Sequence, residues 1–452
     1  MNTVLWGFSD PRIYPAILQL QNEQHIEIKA WIGDTFACPH CTYNAWEITK
    51  NRVPFFEYAT IDETLYNSLF AHLYQFMDMY SRGFDAGDKT IHDYLNMFNM
   101  LINFFYQLLT KNKVQVVMFY NIPHDGSDFL LYQVAKSLGI KTILFYQTLF
   151  PNKFFFVDDL TDFGDFSNIQ PFIQFETIHV SNKYEKDIFY MKKNSLIRTI
   201  KQEDIDKWKK SISKIPHKIR QLPQRITMWP RKQLIKLLTF DNKIKYKQNN
   251  NKYAINEIKT DAPFVYFALH LQPELTTSAL GNRYVDQILA VEKLRQMLPE
   301  HWNIYVKENP KQTENMRSSF FYDRLQRIKN TYLVSKDVDT YFLLKESAFP
   351  ATITGTLGWE AVTGGKNVLI FGSAWYKTLP GVFSYRSDLD LNEILNYRIN
   401  HKELEEKLSE LMGKMADGVI DLTYTSIVEK FSHEENQKTV VNSLQGILKA
   451  IV

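Results

Sequence analysis

The stretch from Ala348 to Phe371 constrains this chain more than any other. An apolar run, Ala348 to Ile353, meets the polar turn Thr354-Gly355-Thr356-Leu357-Gly358-Trp359-Glu360. A short helix and Gly364-Gly365-Lys366 follow, and a second apolar run starts at Asn367. Short apolar runs separated by helices read as buried parallel strands, because parallel neighbours need a connection long enough to hold a helix. The turn has the chemistry of a ligand-binding corner. Thr354 and Thr356 offer hydroxyls, Gly355 and Gly358 let a ligand reach the backbone, and amides at a helix start favour an anion. Glu360, in the expected first helical turn, can accept two hydrogen bonds from a vicinal diol such as a ribose. A plain strand-to-helix turn, with Thr as cap and Gly for packing, uses the same residues.

The alternation extends over the second half, with strands at Phe264 to Leu269, Asn303 to Val306, Tyr332 to Val334 and Val368 to Phe371 and helices between them. In the first half, Thr3 to Trp6, a helix from about Ile13 to Gln21, and Glu27 to Ile32 form a βαβ unit. Helices at about 62–82 and 90–111 follow, then strands Val114 to Phe119 and Lys141 to Tyr146 around a helix from Phe129 to Leu138. At 452 residues the chain exceeds one ordinary domain. The expected fold is α/β, with two Rossmann-like domains, 1–190 and 261–400, facing across a cleft. Residues 191–260 read as a basic segment and linker, ending in the polar, unstructured tract Gln248 to Lys252, and 401–452 as helices crossing back to the first domain. Phe150 to Phe166, where Phe mixes with Asp158, Asp159, Asp162 and Asp165, reads as an irregular loop beside the cleft. No fixed short repeat occurs, which argues against a solenoid.

Charge is unevenly placed. The net charge is only +3, yet Lys192 to Lys252 holds 18 Lys plus Arg against 4 Asp plus Glu. Trp208, Ile212, Ile215, Ile219 and Trp229 are interleaved with the cations, a composition suited to an anionic lipid surface. Nucleic acid is the competing partner, but no recognition motif for it accompanies the patch. No run reaches the roughly 18 apolar residues of a membrane span, and no signal peptide precedes Val4, so a cytoplasmic protein, peripheral on the inner membrane, is expected. The two cysteines, Cys38 and Cys41, are spaced C-P-H-C. They follow an apolar run as a loop instead of opening a long helix, so ordinary reduced thiols are expected over a redox pair or half a zinc site.

Three strand ends of the second half converge in this topology: His270-Leu271-Gln272-Pro273-Glu274, Lys307-Glu308-Asn309-Pro310-Lys311 and Thr354 to Glu360. They supply a cation for a phosphate, hydroxyl and amide donors, and a carboxylate for a sugar diol. His270, Gln272, Glu274, Lys307, Asn309, Thr354, Gly355, Thr356, Gly358 and Glu360 are the candidate nucleotide-sugar ligands. No G-x-x-x-x-G-K-[ST], G-x-G-x-x-G after a strand, or G-x-S-x-G is present, which counts against phosphoryl transfer, dinucleotide redox and hydrolase chemistry.

These strand ends, with Asn121-Ile122-Pro123-His124-Asp125 in the first half, resemble the GT-B glycosyltransferases, and within them the bacterial capsule polysaccharide biosynthesis proteins that include capsular Kdo transferases. The resemblance covers about two thirds of the chain and is strongest from Phe264 to Gly372. It implies transfer of a keto-sugar acid, Kdo or a nonulosonic acid such as pseudaminic acid, from a CMP-activated donor to a capsule or surface-glycan acceptor. It also implies retention of configuration, with no metal and no further cofactor. In such enzymes a Lys-x-His-Pro-like turn holds the phosphate; Lys307 and Pro310 fit it, while Asn309 stands where His is expected. The departing phosphate needs positive charge and hydrogen bonds, and a carboxylate is needed near the anomeric carbon or the acceptor hydroxyl. Asp125 is the candidate nucleophile or base, with His124 as its acid–base neighbour. Asp128 is its rival, or a helix cap. A UDP-sugar epimerase of the same architecture and a noncatalytic assembly protein are the alternatives.

Overall fold

The computed structural model describes residues 1–50, 52–81, 89–167, 169, 178–180, 242–272, 275–314 and 316–451. The first half builds β1 (Asn2–Trp6), β2 (Glu27–Gly33), β3 (Tyr43–Asn44), β4 (Val116–Phe119), β5 (Lys141–Gln147) and β6 (Lys153–Val157). The second builds β7 (Phe264–Ala268), β8 (Asn303–Lys307), β9 (Thr331–Val334), β10 (Phe349–Thr352), β11 (Val368–Ile370) and β12 (Val382–Ser384). A last short strand, β13 (Ala416–Asp417), returns to the first sheet, whose order is β13-β6-β5-β4-β1-β2-β3. β1 to β5 are parallel, and β6 and β13 add antiparallel edges. The second sheet, β12-β11-β10-β7-β8-β9, is parallel throughout.

Both sheets are buried on two faces, which is why their strands read as continuous apolar runs. Alternation still sorts the side chains: Val4, Trp6, Val117, Phe119 and Leu144 enter one core, while Leu5, Val116, Met118, Ile143 and Phe145 enter the other. In each sheet the first strand lies at the centre and the order reverses beside it, between β1 and β4 and between β7 and β10. Those reversals leave crevices at the carboxyl ends of the strands. Two doubly wound units facing each other in this way form a GT-B-like fold. They meet through aromatic packing, with Phe150 edge-on to Trp359 and Trp375, and through the Lys377–Asp165 ion pair. The helix His433–Ile451 buries Val440, Val441, Leu444, Ile447 and Leu448 in the first unit's core with Ile13, Ile17 and Leu20 of the helix Tyr14–Asn22.

Three expectations need correction. The Phe-rich tract is not an irregular loop: Lys153–Val157 is the buried strand β6, with Phe154 and Phe156 in one core and Phe155 and Val157 in the other. The polar tract ending at Lys252 is not unstructured, since 242–253 are helical. Tyr246, Asn250 and Tyr253 recur at helical spacing and dock on the second unit: the Tyr246 hydroxyl donates to Gln312 O at 3.1 Å, Asn250 bonds the Tyr322 hydroxyl at 2.9 Å, and Tyr253 stacks on Tyr322. The helix expected over 62–82 divides into Glu63–Phe70 and Leu73–Tyr80, where the His72 amide closes a tighter turn on Leu69 O. Most of the basic segment, 192–241, lies outside the described residues.

Both cysteines are free. Burial, with Cys38 and Asp34 nearby, pushes the Cys41 thiol up to about 12, so it stays protonated at neutral pH. No helix among the described residues is long and apolar enough to cross a membrane.

Candidate functional site

A cavity of about 630 Å³ opens at the β7/β10 reversal and is closed on its far side by the first unit. That volume lies in the range of small-molecule sites. The second unit contributes His270 after β7, Lys307 and Asn309 at the end of β8, and Thr352, Thr354, Gly355, Thr356 and Glu360 at and beyond the end of β10. The first unit contributes Asn121 after β4 and Tyr146 and Gln147 at the end of β5. The chain returning from the second unit adds Asp421 and Tyr424.

The Thr354 corner is locked from behind by His270. The Thr354 amide donates to His270 Nε2 at 3.1 Å, and the Thr352 hydroxyl lies 3.0 Å from the same nitrogen. An amide can only donate, so Nε2 is unprotonated and the ring proton is on Nδ1. Burial pushes the imidazole down to about 4, which keeps it neutral. His270 is therefore a strut of the corner. The Gly355 backbone lies so close to this strut that a Cβ there would sit 2.7 Å from Thr352 Oγ1. The helix Thr356–Thr363 begins just beyond, with Gly355 as N-cap and no side chain capping it, so its first amides remain available to an anion. Glu360 is buried one turn into this helix and not in its first turn, because the helix starts only at Thr356. Thr354 lines the cavity, and its hydroxyl oxygen is buried without a hydrogen-bond partner.

Lys307 brings the cation. Its ammonium donates to Val338 O and to Thr340 Oγ1, the latter at 2.8 Å, which leaves one of three N–H donors for a ligand. Burial pulls its pKa below the ordinary lysine value, against the opposing pull of Asp339 and Asp337. Beside it, burial holds the Tyr266 phenol above its usual value; a hydrogen bond with Thr340 opposes this and the Glu360 charge adds to it.

Other candidates lie in or behind the wall. Gln272 does not line the cavity: its Nε2 donates to Val285 O at 2.8 Å and its Oε1 accepts from Arg317 at 2.8 Å. Arg317 holds Glu308 with bonds of 2.6 and 3.1 Å in a fully buried pair, so the Glu308 charge is neutralised from behind. Asn309 lines the cavity with its Oδ1 turned back to the Lys311 amide at 2.9 Å. Gly358 is a packing glycine under Tyr376 and does not line the cavity. Glu274 lies outside the described residues.

On the first unit the structure brings His124, Asp125 and Asp128 together, but none of them lines the cavity. Asp128 is buried in the first turn of the helix Ser127–Ser137, whose N-cap is Gly126 with no side chain capping it. Its carboxylate accepts the amides of His124, Asp125 and Phe129 at 2.7 to 2.8 Å and so pins the turn before the helix instead of serving as the expected cap. Burial, then Asp125, raises its pKa to about 6. His124 turns Nδ1 to Ile122 O at 2.6 Å, which makes Nδ1 the donor, and Nε2 lies 3.6 Å from Asp125. The Asp125 side chain is 56% exposed. Sequence reading did not select Tyr146, Gln147, Tyr266, Thr340, Asp421 or Tyr424; the Asp421-x-Thr423 cap was visible locally, but no local pattern shows that it returns to the cleft. Among the described residues no group of three or more His, Cys, Asp or Glu side chains could hold a metal ion.

A family described as "Capsule polysaccharide biosynthesis protein" matches residues 178–407. No curated protein matches the sequence. Among solved structures, a β-Kdo 2,7-transferase, KpsC of Thermosulfurimonas dismutans, is 12% identical, with 75% of this chain and 88% of that chain covered and a TM-score of 0.32. UDP-GlcNAc 2-epimerase from Methanocaldococcus jannaschii is 11% identical over 90% of this chain and 97% of its own, with a TM-score of 0.25. S. aureus MnaA bound to UDP is 13% identical over 100% and 98%, with a TM-score of 0.23.

Proposed function

The chain belongs to the capsule polysaccharide biosynthesis protein family, and from that premise we propose that it is a glycosyltransferase using a CMP-activated keto-sugar acid, a nonulosonic acid such as pseudaminic acid or Kdo. The acceptor is a capsule or surface glycan. The cavity carries this reading. Among the described residues Lys307 is its one lining cation, and it stands with the uncapped helix Thr356–Thr363 and the unpartnered Thr354 hydroxyl, a set matched in charge to a single phosphate. A nucleoside diphosphate would bring a second phosphate to the same single ammonium.

In this reading the bond between the anomeric carbon and the phosphate oxygen breaks, and its electron pair leaves with CMP. The Lys307 ammonium and the helix amides meet the growing charge on the leaving oxygen, in a site that needs little reorganisation because His270 already fixes the corner. Glu360, buried at the cavity wall, accepts the ribose hydroxyls. Retention at the anomeric carbon comes from the family resemblance. Peripheral contact with the inner membrane through residues 192–252 belongs to the same proposal.

The test is product analysis by mass spectrometry after incubation with CMP-Kdo, CMP-pseudaminic, CMP-legionaminic or CMP-sialic acid and capsule oligosaccharides. Acceptor-dependent CMP release with a glycan product of increased mass supports transfer. Conversion of a UDP-sugar with no acceptor present contradicts it.

A further inference from the structure

Transfer needs a group to take the proton of the attacking hydroxyl, and the cavity offers few carboxylates for it. Among the described residues three line it: Glu308, Glu360 and Asp421. Glu308 is tied in the buried pair with Arg317, and Glu360 sits on the helix beside the proposed nucleotide site. Asp421 stands on the opposite wall, although it lies far along the chain from the first unit's other residues.

Its placement is fixed by Gln147, the last residue of β5. Gln147 Oε1 accepts the amides of Ile420 at 2.7 Å and Asp421 at 3.2 Å, and its Nε2 donates to Lys153 O at 2.9 Å and Gly418 O at 3.4 Å. One buried amide side chain thus staples the returning segment to the strand end that lines the cavity. The carboxylate is oriented in turn. Asp421 Oδ1 accepts the Thr423 amide at 3.0 Å and the Thr423 hydroxyl at 2.7 Å. Oδ2 has no hydrogen-bond partner among the described residues. One oxygen anchors the group, and the other is left for a ligand. Tyr120, just before the cavity residue Asn121, feels the same charge: burial, then Asp421, pushes its phenol up to about 12.

We propose that Asp421 is the base that activates the acceptor in the transfer described above, a proposal that rests on that reading. Oδ2 takes the proton of the acceptor hydroxyl, and the hydroxyl oxygen's electron pair forms the new bond to the anomeric carbon. The bond from that carbon to the phosphate oxygen breaks through an oxocarbenium-like state on the face where the acceptor enters, which retains the configuration, and the phosphate oxygen keeps the pair. The acceptor therefore enters against the returning segment, so the site is incomplete without residues beyond the second unit.

The discriminating variant is Asp421→Asn. Asn caps as well as Asp, so the Thr423 bonds and the fold survive while the proton acceptor is lost. Expected is a transfer rate lower by about 100- to 10,000-fold, with an unchanged thermal shift on CMP. Asp417→Asn, which weakens the Lys153 ion pair in the same segment, keeps transfer. Sodium azide, an anion that needs no deprotonation, restores CMP release to Asp421→Asn. The azide product has the anomeric configuration of the wild-type glycoside, because azide enters from the acceptor's side. Transfer at the wild-type rate in Asp421→Asn overturns the assignment. So does a lack of azide rescue in a variant that still binds CMP, which would make Asp421 structural, and so does an azide product of opposite configuration, which would place Asp421 in attack on the anomeric carbon. If the wild-type chain transfers from no CMP donor, the glycosyltransferase reading itself fails and this assignment falls with it.

Discussion

Replacing Gly358 by Ala should damage the site without touching a ligand. A Cβ at 358 would meet the Tyr376 hydroxyl at 2.2 Å and two ring carbons at 2.7 Å, all inside van der Waals contact. Tyr376 is fully buried, and its hydroxyl donates to Gly355 O, so the ring has no open space to enter and carries part of the corner with it. Overpacking of this kind costs roughly 1–3 kcal/mol, and loss of the hydroxyl bond to Gly355 adds about 1 kcal/mol. At ~2–4 °C per kcal/mol for a larger domain, a melting midpoint several degrees lower is expected. The Gly355 carbonyl is the cap of the helix whose amides are proposed to face phosphate, so the CMP-induced shift should fall too. Differential scanning calorimetry with and without CMP reads both effects. Adding Tyr376→Phe removes the 2.2 Å contact but not the ring contacts, so it should recover only part of the loss. A Gly358→Ala protein that melts with the wild type and keeps its CMP shift would contradict the close packing of Tyr376 on this helix.

Two other perturbations bear on the same corner. His270 is held neutral by burial, with a folded pKa of about 4 against about 6.5 when unfolded. Between those values the unfolded chain binds the extra proton, so this group's contribution falls as pH drops from about 6.5 toward 4, by on the order of 3 kcal/mol in all. His270→Gln, which still accepts the Thr354 amide, should show a shallower decline of melting midpoint over that window; parallel curves would refute the neutral strut. Lys307→Met should weaken CMP binding by about 10- to 100-fold, the worth of one hydrogen bond to a charged group, measured by titration calorimetry. An unchanged Kd would remove Lys307 from the phosphate site.

The donor corner was legible because its chemistry is local. Two Thr, two Gly and a Glu lie within seven residues just after a buried strand, and the backbone carries them to one edge whatever else the chain does. Lys307 was legible for the same reason, as a polar residue ending an apolar run. Gln272 has the same local signature, but its role depends on Arg317, 45 residues on, which draws it into the wall. Asp421 depends on Gln147, 274 residues before it, and nothing near either residue signals that contact. His124 and Asp125 follow the end of β4 as the turn suggested, yet the buried Asp128 carboxylate ties down their amides, and none of the three lines the cavity. In the fold, the alternation of apolar runs and helices was enough for the inner strands of both sheets, while the short strands β3, β12 and β13 carry too few residues to show a pattern and β6 was hidden because acidic residues follow it directly.

The measurement that bears most directly on the proposed donor is a thermal-shift screen against CMP, CDP, UDP, GDP and ADP. At a ligand concentration 100 times its Kd, one site adds about 2.7 kcal/mol, which is readily seen. A selective shift with CMP, lost in Lys307→Met, is the predicted result. A selective shift with UDP, or none with any nucleotide, would contradict a CMP-activated donor in this cavity.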